Sequence, residues 1–157
     1  MLERTLVLLK PDAVQRGLVG EIIGRFEKKG LKLAGLKMGQ FPREMIEQHY
    51  ADHKYKPFYK SVVDFMTSGP SIAIVLEGKD AIKVTREMMG KTNGRESPAG
   101  TIRGDLCMSF SKNLVHGSDG PAAAERELAL FFPDEGEIVE WNPSDLDWRY
   151  SREEELR

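Results

Sequence analysis

A single cysteine, Cys107, leaves this chain unable to close an internal disulfide, so a packed core has to hold the fold. One thiol suits a reducing compartment, and a small apolar filler is its ordinary role. Long apolar runs are missing as well. The stretch Leu6 to Leu9 is shorter than the core of a secretory signal, and nothing approaches the length of a membrane span. A soluble cytoplasmic protein with no membrane partner is expected. An excess of one charge is also lacking: 23 Lys and Arg against 25 Asp and Glu give a formal net charge of -2, which disfavours nucleic acid. Repeats, linkers and low-complexity tracts are absent, so residues 1–157 read as one domain, large enough to bury a real core.

Several chemical signatures are absent too. There is no G-x-x-x-x-G-K-S/T and no G-x-G-x-x-G, which disfavours a P-loop enzyme, a protein-kinase-like site and a dinucleotide fold. Ser118 is not in a G-x-S-x-G elbow, so an α/β-hydrolase is disfavoured despite a nearby histidine. His49 and His53 have the spacing of zinc ligands, but Tyr50 replaces the glutamate of H-E-x-x-H and no third ligand presents itself. They read as one polar helix face.

What is present alternates strand and helix. RTLVLLK at 4–10 is a short leucine-rich and β-branched run that stops at Pro11, as a buried strand would. In residues 19–30, Val19, Ile22, Ile23 and Phe26 form one helical stripe with Gly30 placed as its C-cap. Further strands are expected at 31–38, 71–78 and 105–110, and helices at 43–54, 58–66 and 80–89. The order predicts an α/β (α+β) sandwich: a ferredoxin-like βαββαβ plan with a four-stranded antiparallel sheet covered by helices. Residues 90–104, with four glycines and one proline, break this economy, and loops of that length inside compact domains are usually functional or disordered. Residues 79–103 hold six basic side chains against three acidic ones, which suits a small anionic ligand.

The chemistry concentrates later. In PAAAERELALFF at 121–132, Ala123, Ala124, Leu128, Leu130 and Phe131 fall on one apolar stripe, with Pro121 suited to the first helical position. Glu127 lies in the middle of that stripe. A carboxylate on a buried face needs a partner, since desolvating it alone costs several kcal/mol. His116, eleven residues upstream across a tight turn, can supply one. An imidazole held by a carboxylate is oriented and made more basic, and with a reference pKa near 6.5 roughly three quarters of histidine is neutral and nucleophilic at pH 7. Two readings of the residues stand side by side: a reactive His116 supported by Glu127, or a loop histidine and a glutamate paired to an arginine for stability.

Lys10 ends the row Leu6, Leu8, Lys10 at the C-terminal edge of the first strand, where α/β sheets commonly place ligands; a solvated strand-end lysine is the alternative. Arg86, Thr92 and Arg103 belong to the cationic middle and are the donor types a phosphate needs, or else ordinary surface groups.

NLVHGSD at 113–119, TIRGD at 101–105 and LKPDAVQRGLVGEI at 9–22 together resemble the nucleoside diphosphate kinases. EQHY, KPF, SGP, VLEG and GKTN recur in order, and the likeness runs from about Glu3 to Trp148. The resemblance implies ping-pong transfer of a γ-phosphoryl group from a nucleoside triphosphate, typically ATP, to a nucleoside diphosphate through a phosphohistidine on His116. It gives Glu127 the support of that imidazole, with Ser118 linked to it. Lys10 and Asn113 would meet the ribose hydroxyls and the phosphate near His116, Arg86, Thr92 and Arg103 the outer phosphates, and Tyr50 a further substrate contact. Phe58 would stack on the base, with Phe110 on its other face. Mg2+ would bridge the phosphates, with Asp119 a contact through water. Gly94 stands where the family usually has proline, and Gly120 where it often has serine. The tail, WNPSDLDWRY at 141–150 within a C-terminal extension over 133–157, resembles that of hexameric members, so a homo-hexamer is preferred over a tetramer. A nucleotide-binding module without transfer would need damage to the histidine or its cationic cradle, and none is visible. A sheet-based RNA binder would need exposed aromatics on its central strands.

Overall fold

The computed structural model describes residues 2–155. β1 (Leu2–Leu9), β2 (Lys32–Gly39), β3 (Ser71–Lys79) and β4 (Val115–Gly117) form one sheet in the order β2-β3-β1-β4, with every neighbouring pair antiparallel. This is the expected ferredoxin-like plan.

Alternation decides which face each side chain serves. Val7, Leu9, Ile74, Leu76 and Val115 pack with Ile22 and Phe26 of α2 (Val19–Lys29) and with Met89 of α5 (Ala81–Met89). Leu6, Leu8, Ala73 and Val75 pack on the opposite face with Ile46 of α3 (Arg43–His49), with Val63 and Met66 of α4 (Tyr59–Met66), and with Phe131 of α7 (Pro121–Phe131). The register agrees, since Val7 faces Ile74 and Leu8 faces Ala73 across β1 and β3. Burial on both faces explains why these strands read as continuous apolar runs. Gly30, at φ 104, closes α2 as foreseen.

The fourth strand is not where the sequence pattern put it. Residues 102–106 form a short helix, α6 (Ile102–Leu106), whose N-cap Thr101 accepts a hydrogen bond from the Gly104 N–H. Beyond it the chain folds on itself: the one S–H of Cys107 is shared between the carbonyls of Ser109 and Lys112, 3.1 and 3.3 Å away, while Met108 and Phe110 stay exposed. The alternation at 105–110 therefore has no sheet partner. β4 is instead the three-residue segment 115–117, too short to register as a strand, and it places His116 opposite Leu8. His116 thus shares a sheet face with Leu8, toward α3 and α7.

Residues 90–104 are ordered by packing. At Gly94 an added Cβ would lie 2.3 Å from the Cys107 carbonyl oxygen, so backbone occupies the space a side chain would need. Gly94→Ala is expected to cost about 2–3 kcal/mol, the upper part of the range for overpacking. A lowered urea midpoint with an unchanged slope would show it; an unchanged midpoint would mean the loop yields freely.

The C-terminal segment covers the free edge of β2. The Val139 N–H donates to Ala34 O at 2.7 Å, at the bulge where the β2–β3 register shifts, and Trp141 Nε1 donates to Leu33 O at 3.0 Å. Lys32, nearly buried, bridges this segment to Glu77 through the Trp141 carbonyl. Such cover removes an edge open to strand pairing.

Candidate active site

Leu114 precedes β4 in a conformation that non-glycine residues seldom adopt, with φ 73. The Val115 N–H donates back to Asn113 O at 2.8 Å, closing a three-residue turn around it. Several contacts hold the turn in place. Leu114 is fully buried, its N–H donates to Asp12 Oδ2 at 3.0 Å, and its carbonyl accepts from the Lys10 N–H at 2.8 Å. This turn sets the angle at which His116 leaves the sheet.

His116 Nε2 lies 2.7 Å from Glu127 Oε2, and the Glu127 side chain is only 4% exposed. Burial alone would raise that carboxyl, but the bond to His116, with the nearby Ser118 hydroxyl a smaller contribution, holds it below the ordinary range. An ionised carboxylate only accepts, so His116 Nε2 carries the proton and donates it. Nδ1 is left with its lone pair free. Ser118, fully buried, accepts from the Leu6 N–H at 3.4 Å, while Glu127 Oε1 makes no hydrogen bond. The odd glutamate on the α7 stripe thus does meet His116.

His49 is where the sequence reading needs correction. Its side chain is 2% exposed, not part of a polar face; Nδ1 sits 3.5 Å from Glu127 Oε2, and the ring stands edge-on to His116 with centroids 4.6 Å apart. Burial, then the charge of His116, pushes its pKa down to about 3, so it is neutral. The missed signal was spacing: Ile46, fully buried, and His49 are three apart on α3 and share its inner face. His53, on the following 3-10 turn, also has a buried Nδ1 without a partner, and its ring packs 5.5 Å from that of Phe58.

Cations gather on the other side of the turn. Lys10 Nζ donates to Asn113 Oδ1 at 2.8 Å, and the Asn113 amide donates to the carbonyls of Thr92 and Phe110, both at 3.1 Å. Arg103, 7% exposed, donates from Nε to Asn113 O at 3.0 Å, from Nη1 to Gly90 O at 3.2 Å and from Nη2 to Val115 O at 2.6 Å. Arg86 Nη1 reaches Gly117 O at 3.0 Å. Burial, then the charge of Arg103, brings Lys10 down to about 8; burial brings Arg103 down to about 10, with the Arg86 charge adding to it. Among the described residues none of the three is in a salt bridge. Unpaired cations that repel one another form a site prepared for an anion.

The remaining residues lie around this centre. Burial and the Glu127 charge raise the Tyr50 hydroxyl, so it stays protonated. Thr92 and Asp119 are exposed, and Asp119 lines a shallow pocket with Arg86 and Gly120. Phe58 and Phe110 are exposed aromatics, 46% and 63%. Phe58 packs near His53 and Lys56.

The Lys10 ammonium makes a pH prediction. An anionic ligand raises a depressed lysine pKa, so above pH 8 binding must take up a proton, and affinity falls as pH rises through that value. Titration calorimetry with ADP is expected to show weakening from pH 8 to 10, lost in Lys10→Arg. A flat profile in the unsubstituted protein would exclude Lys10 as the phosphate contact.

A family model described as nucleoside diphosphate kinase matches residues 3–136. The nucleoside diphosphate kinase of Archaeoglobus fulgidus is 56% identical over 149 residues, covering 95% of this chain and 98% of that protein. The Staphylothermus marinus enzyme is 58% identical over 139 residues, 88% of this chain and 98% of its own length. Among solved structures, a halophilic nucleoside diphosphate kinase from Halobacterium salinarum in complex with CDP superposes with a TM-score of 0.92 at 47% identity, covering 96% of this chain and 99% of that one.

Proposed function

The chain belongs to the nucleoside diphosphate kinase family and acts as a nucleoside diphosphate kinase, and from that premise we propose that His116 carries the phosphoryl group between the two nucleotides. The observation that carries this reading is the 2.7 Å contact of His116 Nε2 with the buried Glu127 carboxylate, which leaves Nδ1 as the free nucleophile. Nδ1 attacks the γ-phosphorus of a nucleoside triphosphate, the bond to the β-γ bridging oxygen breaks, and the diphosphate leaves. Glu127 stabilises the charge that the ring acquires. In the second half the terminal oxygen of another diphosphate attacks the phosphohistidine, and His116 returns to its starting state.

Phosphoryl transfer asks mostly for alignment and charge stabilisation, because its transition state spreads charge over oxygens. Lys10, Arg86 and Thr92 provide donors for those oxygens in this reading. Arg103 contributes its remaining N–H groups and holds the backbone, and Asn113 and Tyr50 orient the sugar and phosphates. Phe58 and Phe110 take the base by stacking, which is tolerant of base identity. Ser118 is a positioning residue for Glu127.

Mg2+ is the cofactor in this reading. Asp119, an exposed carboxylate in the same pocket as Arg86, suits a hard cation that takes few protein ligands, and when bound the ion neutralises phosphate charge. The described helices include none long and apolar enough to cross a membrane, and we assign the chain to the cytoplasm as one domain whose residues 133–157 form a C-terminal extension, assembled as a homo-hexamer.

Incubation with ATP labelled at the γ-phosphate tests the transfer. Label is expected on the protein, stable to alkali and labile to acid, and chased into GTP by added GDP. Binding of ADP without labelling would identify a nucleotide-binding module instead.

A further inference from the structure

Buried beside the proposed nucleophile is a set of donor atoms that phosphoryl transfer leaves unused. Both ring nitrogens of His49 lack a hydrogen-bond partner, and so does Glu127 Oε1. A buried polar group without a partner costs stability, and three such atoms in one place call for a ligand. One ligand atom from each of His49, His116 and Glu127 can be chosen so that all lie within 4.8 Å of one another.

We infer that His49, His116 and Glu127 form a binding site for a borderline transition-metal dication such as Zn2+, and that its occupation switches the enzyme off. Two imidazoles and one carboxylate are a set that holds zinc, at roughly 2.0–2.2 Å per bond, with a fourth position left open. Donor atoms around a tetrahedral ion stand about 3.3 Å apart at those bond lengths. The His49 Nδ1–Glu127 Oε2 separation of 3.5 Å is close to that, and the 2.7 Å His116–Glu127 contact has to open slightly. A cavity of about 430 Å³ lined by Gln48, His49, Arg126, Glu127 and Leu130 borders two of the three ligands and offers a way in.

The switch rests on the proposed role of His116 and follows from the tautomer. Without metal, Nε2 holds the ring proton and gives it to Glu127, and Nδ1 keeps its lone pair. With metal on Nε2, that nitrogen spends its lone pair on the ion. The displaced proton passes through solvent to Nδ1, so no net proton is released and the imidazole remains neutral. Nδ1 then has no lone pair with which to attack phosphorus.

Cobalt(II) reports the site directly, independently of activity. Untagged full-length protein is expected to bind one Co2+ per chain with the intense visible absorption of a low-coordinate N/O site, and Zn2+ should bleach it. His49→Phe, which places a ring of similar shape beside Tyr50 and Phe131, and His116→Ala are each expected to weaken binding at least tenfold, the loss typical of perturbing a metal site. Wild-type-like circular dichroism would show that both remain folded. With Mg2+ held in excess, Zn2+ should suppress labelling by γ-labelled ATP, and a chelator selective for Zn2+ over Mg2+ should restore it, while His49→Phe should need at least tenfold more Zn2+. Unchanged Co2+ binding in both variants would overturn the site, as would its loss in Cys107→Ser. Co2+ binding at the site with labelling unaffected would overturn the switch. Failure of Zn2+-free protein to become labelled in the presence of Mg2+ would count against His116 as carrier and leave the Co2+ result standing.

Discussion

His116→Ala is expected to lower phosphoryl transfer by on the order of 10⁴ to 10⁶, the loss seen when a covalent nucleophile is removed, while ADP still binds within a few-fold of its original affinity. The two effects separate because the groups proposed to bind phosphate do not depend on the imidazole. Lys10 is held by Asn113, Arg103 by three backbone carbonyls and Arg86 by the Gly117 carbonyl. The variant should still fold, since the His116 side chain is 24% exposed and sits on an edge strand. Its cost falls on Glu127, which loses the partner that holds its carboxyl low, so stability should drop by about 1–3 kcal/mol, the penalty for orphaning one buried group. Stopped-time transfer assays and calorimetry with ADP read the two quantities. Substantial residual transfer would remove His116 from the chemistry.

Arg103→Met is expected to carry the largest stability loss, about 3–5 kcal/mol, together with at least a tenfold fall in transfer. The guanidinium closes the loop onto itself: it ties Gly90, Asn113 and Val115 together through their carbonyls. Methionine fills the volume but donates nothing. Asn113 O keeps the Val115 N–H, but the Gly90 and Val115 carbonyls lose this donor, and each buried carbonyl left without one costs about 1–3 kcal/mol, partly recovered where water can enter. The strained turn at Leu114 then loses supports on both flanks, and the angle of His116 with it. Lysine should recover only part of the loss, because a single ammonium cannot reproduce the planar fork. A wild-type denaturant midpoint in Arg103→Met would mean that these bonds are incidental and that Arg103 serves phosphate alone.

Much of this site is legible in the sequence alone. Glu127 stood out because charge on an apolar stripe has to be answered, and the structure answers it with His116. Lys10 followed from the alternation of β1, and the unexplained loop at 90–104 from its glycines. Other features were hidden for physical reasons. β4 has three residues, below the length at which alternation can be read, and its pairing with β1 depends on a turn whose central residue is leucine, not glycine. Residues 105–110 alternate like a strand, yet the Cys107 thiol and the Arg103 fork engage the surrounding carbonyls and leave that segment no sheet to join. The spacing of Ile46 and His49 puts both on one side of α3, and the packing of α7 against α3 is what turns that side inward. The cover of β2 by Val139 and Trp141 is a contact across more than a hundred residues, invisible to any local pattern.

The central claim is that Glu127 occupies Nε2 of His116 and so leaves Nδ1 to take the phosphate. It can be read from the phosphoenzyme itself. Protein phosphorylated with ATP, quenched in alkali and digested, is predicted to yield phosphohistidine at His116 bearing phosphorus on Nδ1, distinguished from the Nε2 isomer by phosphorus NMR against both synthetic standards. Phosphorus on Nε2, or on a residue other than His116, would contradict the account.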